Sequence, residues 1–161
     1  MRRLLGAALV GGLLLVAPWP GGAGTTNFTV RDLNGRYLRL SDYDKNVVLM
    51  SFWTTWCKPC LVELRHLDKF YRKYKDKGFV VLGVAMDGPE TQAKVSPTVR
   101  SYRLGFPVFI DTDSQVVKLY NTKRAQPFSV LIKGGKVVKT RAAFQLSDLP
   151  EIEREIQALL K

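Results

Sequence analysis

The chain has 161 residues, 46% of them apolar and 24% charged, with two cysteines, one histidine and a formal charge of +11. That length suits one domain with a core of ordinary size, and the scattered Val, Ile, Leu and Phe exclude a disordered or low-complexity chain. Two cysteines are too few for a disulfide-stapled scaffold or a zinc ribbon, and no stretch reaches the roughly 20 apolar residues of an ordinary membrane span.

Arg2 and Arg3 precede an apolar run over residues 4–17, which is followed by Pro18-Trp19-Pro20 and the small residues Gly21-Gly22-Ala23-Gly24. This pattern predicts a secretory signal peptide over residues 1–24, cut near Ala23 or Gly24. An uncleaved anchor is the alternative. No cysteine follows the run, which excludes a lipid-modified anchor, and Arg2-Arg3 lack the flanking pattern of a twin-arginine signal. Either way, residues 25–161 are expected outside the cytoplasmic membrane, in the periplasm or on that membrane's outer face. Cleavage would lower the formal charge of +11 by two. The remaining basic residues are spread over Lys69, Arg72, Lys73, Lys75 and Lys77 and over Lys133, Lys136, Lys139 and Arg141. The expected export, with no intracellular address, argues against nucleic acid. A solvated face, or attraction to anionic headgroups and acidic partners, is expected instead.

Residues 28–32 and 37–40 alternate apolar and polar around Asn34-Gly35, which predicts a β-hairpin. Residues 47–52 form an apolar run that reads as a strand buried on both faces. From Pro59 to about Lys75, the residues Leu61, Leu64, Leu67, Phe70, Tyr71 and Tyr74 make a helical stripe ending at Gly78. Residues 79–86 are a second buried strand. Residues 90–104 read as helical but interrupted at Pro97, where Ser96 can cap a second segment. Residues 106–110 form a short strand and residues 115–120 a short helix. Residues 128–132 and 136–140 pair across Gly134-Gly135, and a capped amphipathic helix over 148–160 closes the chain. This order predicts a single α/β layered domain.

The cysteines stand in Trp56-Cys57-Lys58-Pro59-Cys60, where a buried strand passes into a helix. The helix start carries partial positive charge and free amide donors, which favour a thiolate at Cys57, and Lys58 adds a nearby charge. Pro59 suits the first turn, where its missing N–H costs nothing. Cys60, one turn further in, is placed to attack a mixed disulfide formed at Cys57. A structural staple would close almost no loop here. A metal would need further ligands, but only His66 is at hand, while Met50 and Met86 lie on strands expected to be buried. Two-electron exchange through this pair is the expected chemistry, with no metal and no cofactor beyond the Cys57–Cys60 disulfide.

The segment Ser51-Phe52-Trp53-Thr54-Thr55-Trp56-Cys57-Lys58-Pro59-Cys60 resembles the active site of the thioredoxin superfamily. The leading hairpin, the Phe106-Pro107-Val108-Phe109-Ile110-Asp111 segment, the hairpin around Gly134-Gly135 and the insert over 89–104 narrow this to the TlpA/ResA-like branch of envelope thioredoxins. The resemblance implies a thioredoxin fold, a central mixed sheet flanked by helices, with an N-terminal β-hairpin and an inserted helix. It also implies thiol–disulfide exchange outside the cytoplasm, often in cytochrome c maturation, with disulfide-bearing substrate proteins and a membrane donor of thiol type as partners. By the same resemblance Cys57 is the attacking cysteine, Cys60 the resolving one, Pro127 a cis proline facing the pair, and Glu63 the family's buried acid. Ser51 stands where cytoplasmic thioredoxins keep a buried aspartate. Ala125-Gln126-Pro127-Phe128 departs from the usual Val-Pro-Thr, and Gln126 either offers its amide to a partner or faces solvent. Trp56 is expected to line a partner-binding surface, and His66 to be an ordinary helix residue.

Two other functions use the same features. A peroxiredoxin-type peroxidase shares the fold and has a threonine where Thr54 stands, but Met50 replaces its required proline. A copper-handling thiol protein would need a third soft or imidazole ligand beside the pair. Glu63, if buried, should titrate jointly with the cysteines, pass a proton to or from Cys60 and disfavour the thiolate. A reductant-like couple, below roughly −220 mV, is then expected. If instead Glu63 were exposed, it would simply pair with a nearby Lys or Arg.

Overall fold

The structure is a computed structural model in which residues 24–161 are described. The expected signal segment lies outside the described residues, apart from Gly24 at its end. Among the described residues, seven strands and four α-helices follow in chain order: β1 Thr29–Arg31, β2 Tyr37–Arg39, β3 Val47–Trp53, α1 Lys58–Tyr74, β4 Phe79–Ala85, α2 Val95–Ser101, β5 Val108–Ile110, α3 Gln115–Tyr120, β6 Phe128–Lys133, β7 Lys136–Ala142 and α4 Leu149–Leu159. Strands β1 and β2 form a separate hairpin, and the other five form one sheet in the order β5-β4-β3-β6-β7. The pairs β3–β4 and β4–β5 are parallel, while β3–β6 and β6–β7 are antiparallel. This is the mixed sheet with an added hairpin and an inserted helix that the resemblance to thioredoxins implies.

The continuous apolar run of β3 is explained by its central place, since it is covered on both faces. Its side chains alternate between two cores. Val47, Leu49 and Trp53 pack with Leu64 and Leu67 of α1 and Ile152 and Ile156 of α4. Val48, Met50 and Phe52 pack on the other face with Phe28 and Leu38 of the hairpin region and Val116 and Val117 of α3. Ser51 falls on the same face of the strand as Leu49 and Trp53, the face that meets α1. One polar residue in an otherwise apolar strand therefore lies under the active-site helix.

Helix α1 opens with Pro59 in its first turn and carries Arg72 and Lys73 in its last, which complement the helix dipole. A short 3-10 turn over Lys75–Lys77 then ends at Gly78, whose φ of 94 needs glycine. The hairpin closes through three residues, with Asp32 N–H donating to Arg36 O and Gly35 at φ 78. Beyond α3, Gln145 and Asp148 form a capping box over the 3-10 turn Leu146–Asp148, and α4 starts at Leu149.

The insert differs from expectation. A 3-10 turn over Gln92–Lys94 runs into α2, which passes through Pro97 without a break. Pro97 is the third residue of that helix, where the N–H has no helical partner to lose. Ser96 therefore does not cap anything, and its Oγ accepts from Arg100 Nη1 at 2.7 Å. The helix stops at Ser101, short of Leu104. The basic stretch on β7 also differs from a freely solvated face. Lys139 and Arg141 both pair with Glu151 and Glu155 of α4.

Candidate active site

Strand β3 ends at Trp53, and a turn over the next residues carries the chain to the cysteines, with Cys57 N–H donating to Thr54 O at 3.2 Å. Cys57 is the N-cap of α1, in extended conformation, and its Sγ accepts the Cys60 N–H at 3.3 Å. The two cysteines are joined, with Cα atoms 5.3 Å apart. Cys60 is fully buried, and Cys57 keeps 6% of its surface exposed. Only Cys57 therefore offers an incoming sulfur any access. A thiolate formed there inherits the amide donor and the positive end of the α1 dipole. Lys58 and Pro59 are exposed in the first turn, and Trp56 is 63% exposed beside them.

Glu63 is 2% exposed, which excludes the surface ion pair as its role. It lies one turn beyond Cys60 on the buried side of α1, and Ser51 Oγ donates to its Oε2 at 3.3 Å. Burial pushes its pKa up from 4.5 to about 7, while the Ser51 hydrogen bond and the Arg141 charge oppose the rise and Asp148 adds to it. The carboxyl is thus poised near neutrality one turn along α1 from the buried cysteine. Ser51 and Glu63 are joined in one polar contact inside an apolar core.

The Gln126–Pro127 peptide bond is cis, Pro127 is buried and Gln126 half-buried. Phe128, the next residue, pairs with Phe52, so Pro127 sits at the end of the sheet where β3 delivers the cysteine turn. His66 is half-buried, with its ring 6.5 Å from that of Phe144, and burial followed by the Lys69 charge lowers its pKa. It is a half-buried residue of α1 beside Phe144.

Two residues near the site were not singled out by sequence. Asp87, 4% exposed, accepts the Thr55 N–H at 3.0 Å and the Thr55 hydroxyl at 2.6 Å. It thereby clamps the turn that presents Trp56 and Cys57. An acid directly after a buried parallel strand, at its carboxyl end, was the available signal. Asn121 is 2% exposed and brackets Ala125, donating to its O at 2.8 Å and accepting its N–H at 2.9 Å. That double contact shapes the loop leading to Gln126-Pro127. Asp87→Ala is expected to lose about 2 kcal/mol of stability, since the half-buried Thr55 N–H and hydroxyl lose their acceptor. Urea unfolding measures the loss, and a loss below about 0.5 kcal/mol would show that the clamp is not needed.

The AhpC/TSA family matches residues 22–152. The thiol–disulfide oxidoreductase ResA of Bacillus thuringiensis subsp. konkukian is 38% identical over 113 residues, 70% of this chain and 64% of that protein. The chain thus aligns with somewhat less than two thirds of that relative's length. The ResA of Geobacillus kaustophilus is 31% identical over 138 residues, covering 86% of this chain and 77% of that protein. A Chlorobium tepidum structure described as a thiol:disulfide interchange protein DsbE superposes with a TM-score of 0.80 at 30% identity, covering 88% of this chain and 98% of that one. With its mixed five-stranded sheet, its Cys57–Cys60 disulfide at a helix N-terminus and these relatives, the chain belongs to the thioredoxin-fold AhpC/TSA family, alongside the ResA-type thiol–disulfide oxidoreductases.

Proposed function

We propose that this protein is an extracytoplasmic thiol–disulfide oxidoreductase that works as a reductase of protein disulfides. The observation that carries the reading is the disulfide itself. Cys57 caps α1 with an amide N–H on its sulfur, and Cys60 is buried behind it with Glu63 one turn on. In the reduced protein the Cys57 thiolate attacks one sulfur of a substrate disulfide. The second substrate sulfur leaves as a thiolate and takes a proton. Cys60 then loses its proton to the Glu63 carboxylate and attacks the Cys57 sulfur. The substrate departs as a dithiol, and the Cys57–Cys60 disulfide is formed with two electrons transferred. Trp56, exposed beside Cys57, and the Gln126-Pro127 segment at the same end of the sheet supply the docking surface.

Re-reduction then falls to a dithiol donor at the membrane. The apolar amino-terminal run supports a place in the periplasm or on the outer face of the cytoplasmic membrane. Among the described residues, no helix is long and apolar enough to cross a membrane. The resemblance to envelope thioredoxins supports cytochrome c precursors as one group of substrates. The names of the ResA and DsbE relatives support the exchange chemistry. The test uses protein reduced with dithiothreitol, freed of reductant and mixed with a disulfide-bonded peptide. One peptide disulfide should be reduced per protein as Cys57–Cys60 re-forms. No electron transfer from the reduced protein would refute the proposal.

A further inference from the structure

A cavity of about 360 Å³ lies between the β1–β2 hairpin and the insert, and none of the residues around the disulfide lines it. Its apolar floor is made by Leu33, Val99, Phe106 and Val108. Arg36, Arg100 and Arg103 stand at its walls, and no acidic residue lines it. Arg36 is paired with Asp32 at 2.9 Å, but Arg100 reaches only the Ser96 hydroxyl, at 2.7 Å. Neither Arg100 nor Arg103 makes an ion pair among the described residues. Two guanidinium groups are therefore free to accept a new anionic partner.

The loop that carries Arg103 is held in place. Arg103 has φ 52, a left-handed backbone that non-glycine residues rarely adopt. The conformation is locked from α1: Arg72 Nη2 donates to Arg103 O at 2.8 Å, and Gly105 N–H donates to Asp68 Oδ1 at 2.6 Å. Arg72 Nε also bonds Asp68 Oδ2 at 2.6 Å, so the two anchors brace each other. A single glycine at position 103 would reach this conformation without the lock. The chain instead keeps an arginine there, at the edge of an apolar cavity.

We infer that the cavity between the hairpin and α2 is a binding site for an anionic amphiphile, with a phosphate or carboxylate head on Arg100 and Arg103 and a short apolar body on the Leu33, Val99, Phe106 and Val108 floor. The volume lies near the lower end of the range of small-ligand pockets, and the three arginines make the lining one for an anionic head rather than for a wholly apolar ligand. The same chemistry is offered by a free organic anion or by the headgroup region of an anionic lipid. This site is separate from the exchange reaction and does not depend on the reductase reading.

The test measures calorimetric binding of hexyl phosphate, inorganic phosphate and hexanol to the whole protein, and co-sedimentation with phosphatidylglycerol vesicles. Hexyl phosphate should bind one-to-one and at least roughly tenfold more tightly than either fragment of it. The double variant Arg100→Gln, Arg103→Gly should weaken that binding by about tenfold or more, while disulfide reduction is unchanged. Glycine suits φ 52, so this variant keeps the loop. Val99→Trp, which fills the floor, should weaken hexyl phosphate while leaving inorganic phosphate as it was. Vesicle binding that is lost in the double variant assigns the site to a lipid headgroup, and hexyl phosphate binding without vesicle binding assigns it to a free anion. Failure of hexyl phosphate to saturate the wild-type protein, or equal binding by the double variant, would overturn the inference.

Discussion

Cys60→Ser is expected to turn the protein from a turnover catalyst into a covalent trap. Cys57 is the sulfur with access, and Cys60 is fully buried behind it. Cys57 can therefore still attack a substrate disulfide in the Cys60→Ser variant, but nothing in the protein resolves the mixed disulfide. Adducts through Cys57 should accumulate to nearly one per protein, and catalytic reduction should fall to background. In Cys57→Ser the remaining thiol is shielded, and no adducts should form. Non-reducing gels with mass spectrometry of the adducts read both outcomes. Equal trapping by the two variants would reverse or erase the assigned roles.

The second large effect belongs to Glu63. Its pKa in the folded, oxidised protein is pushed up to about 7 from an ordinary 4.5, so the folded state holds this proton where the unfolded chain has released it. Below pH 4.5 both states are protonated, and the group contributes nothing to the pH dependence of stability. As pH rises from about 4.5 to 7, stability falls, and above 7 the full cost of a buried charge is present. That cost is roughly 3 kcal/mol. Glu63→Gln removes the titration, so the variant should match the wild type near pH 4 and exceed it near pH 8. The gap in melting temperature should open to roughly 10 °C over that window. The same variant should reduce substrates at least tenfold more slowly at neutral pH, by roughly the value of one lost proton acceptor. A stability gap that does not change with pH would show that Glu63 does not titrate in the core. A normal reduction rate would remove it from proton transfer.

The site was legible where local pattern carries the chemistry. Cys57, Lys58, Pro59 and Cys60 are contiguous, and the helical period places Glu63 and Leu64 on the buried side with Cys60. The strands that hold them are seven-residue apolar runs rich in valine, and their length and β-branched content favour a buried strand over a helix. Contacts between distant segments were not legible. Asp87 meets Thr55 across 32 positions, and the partners of Lys139 and Arg141 lie on a different element. Nothing in the order of residues announces such pairs. Pro97 was misread for another reason. Its usual role as a helix breaker depends on its position within the helix, and that position depended on a start at Val95 that the sequence did not mark, because Lys94 provides no side-chain cap. The left-handed backbone at Arg103 was hidden in the same way, because it is imposed by Asp68 and Arg72 of α1.

The midpoint potential of the Cys57–Cys60 couple tests the account most directly. It is measured by equilibrating the purified protein against dithiothreitol or glutathione buffers of known potential and quantifying free thiols. A buried Glu63 opposes the Cys57 thiolate, which the α1 dipole favours. Strong oxidants of this fold instead stabilise their reduced form. The potential is expected below about −220 mV. A potential near −120 mV would mean that the reduced dithiol is strongly favoured, and the protein would be an oxidant.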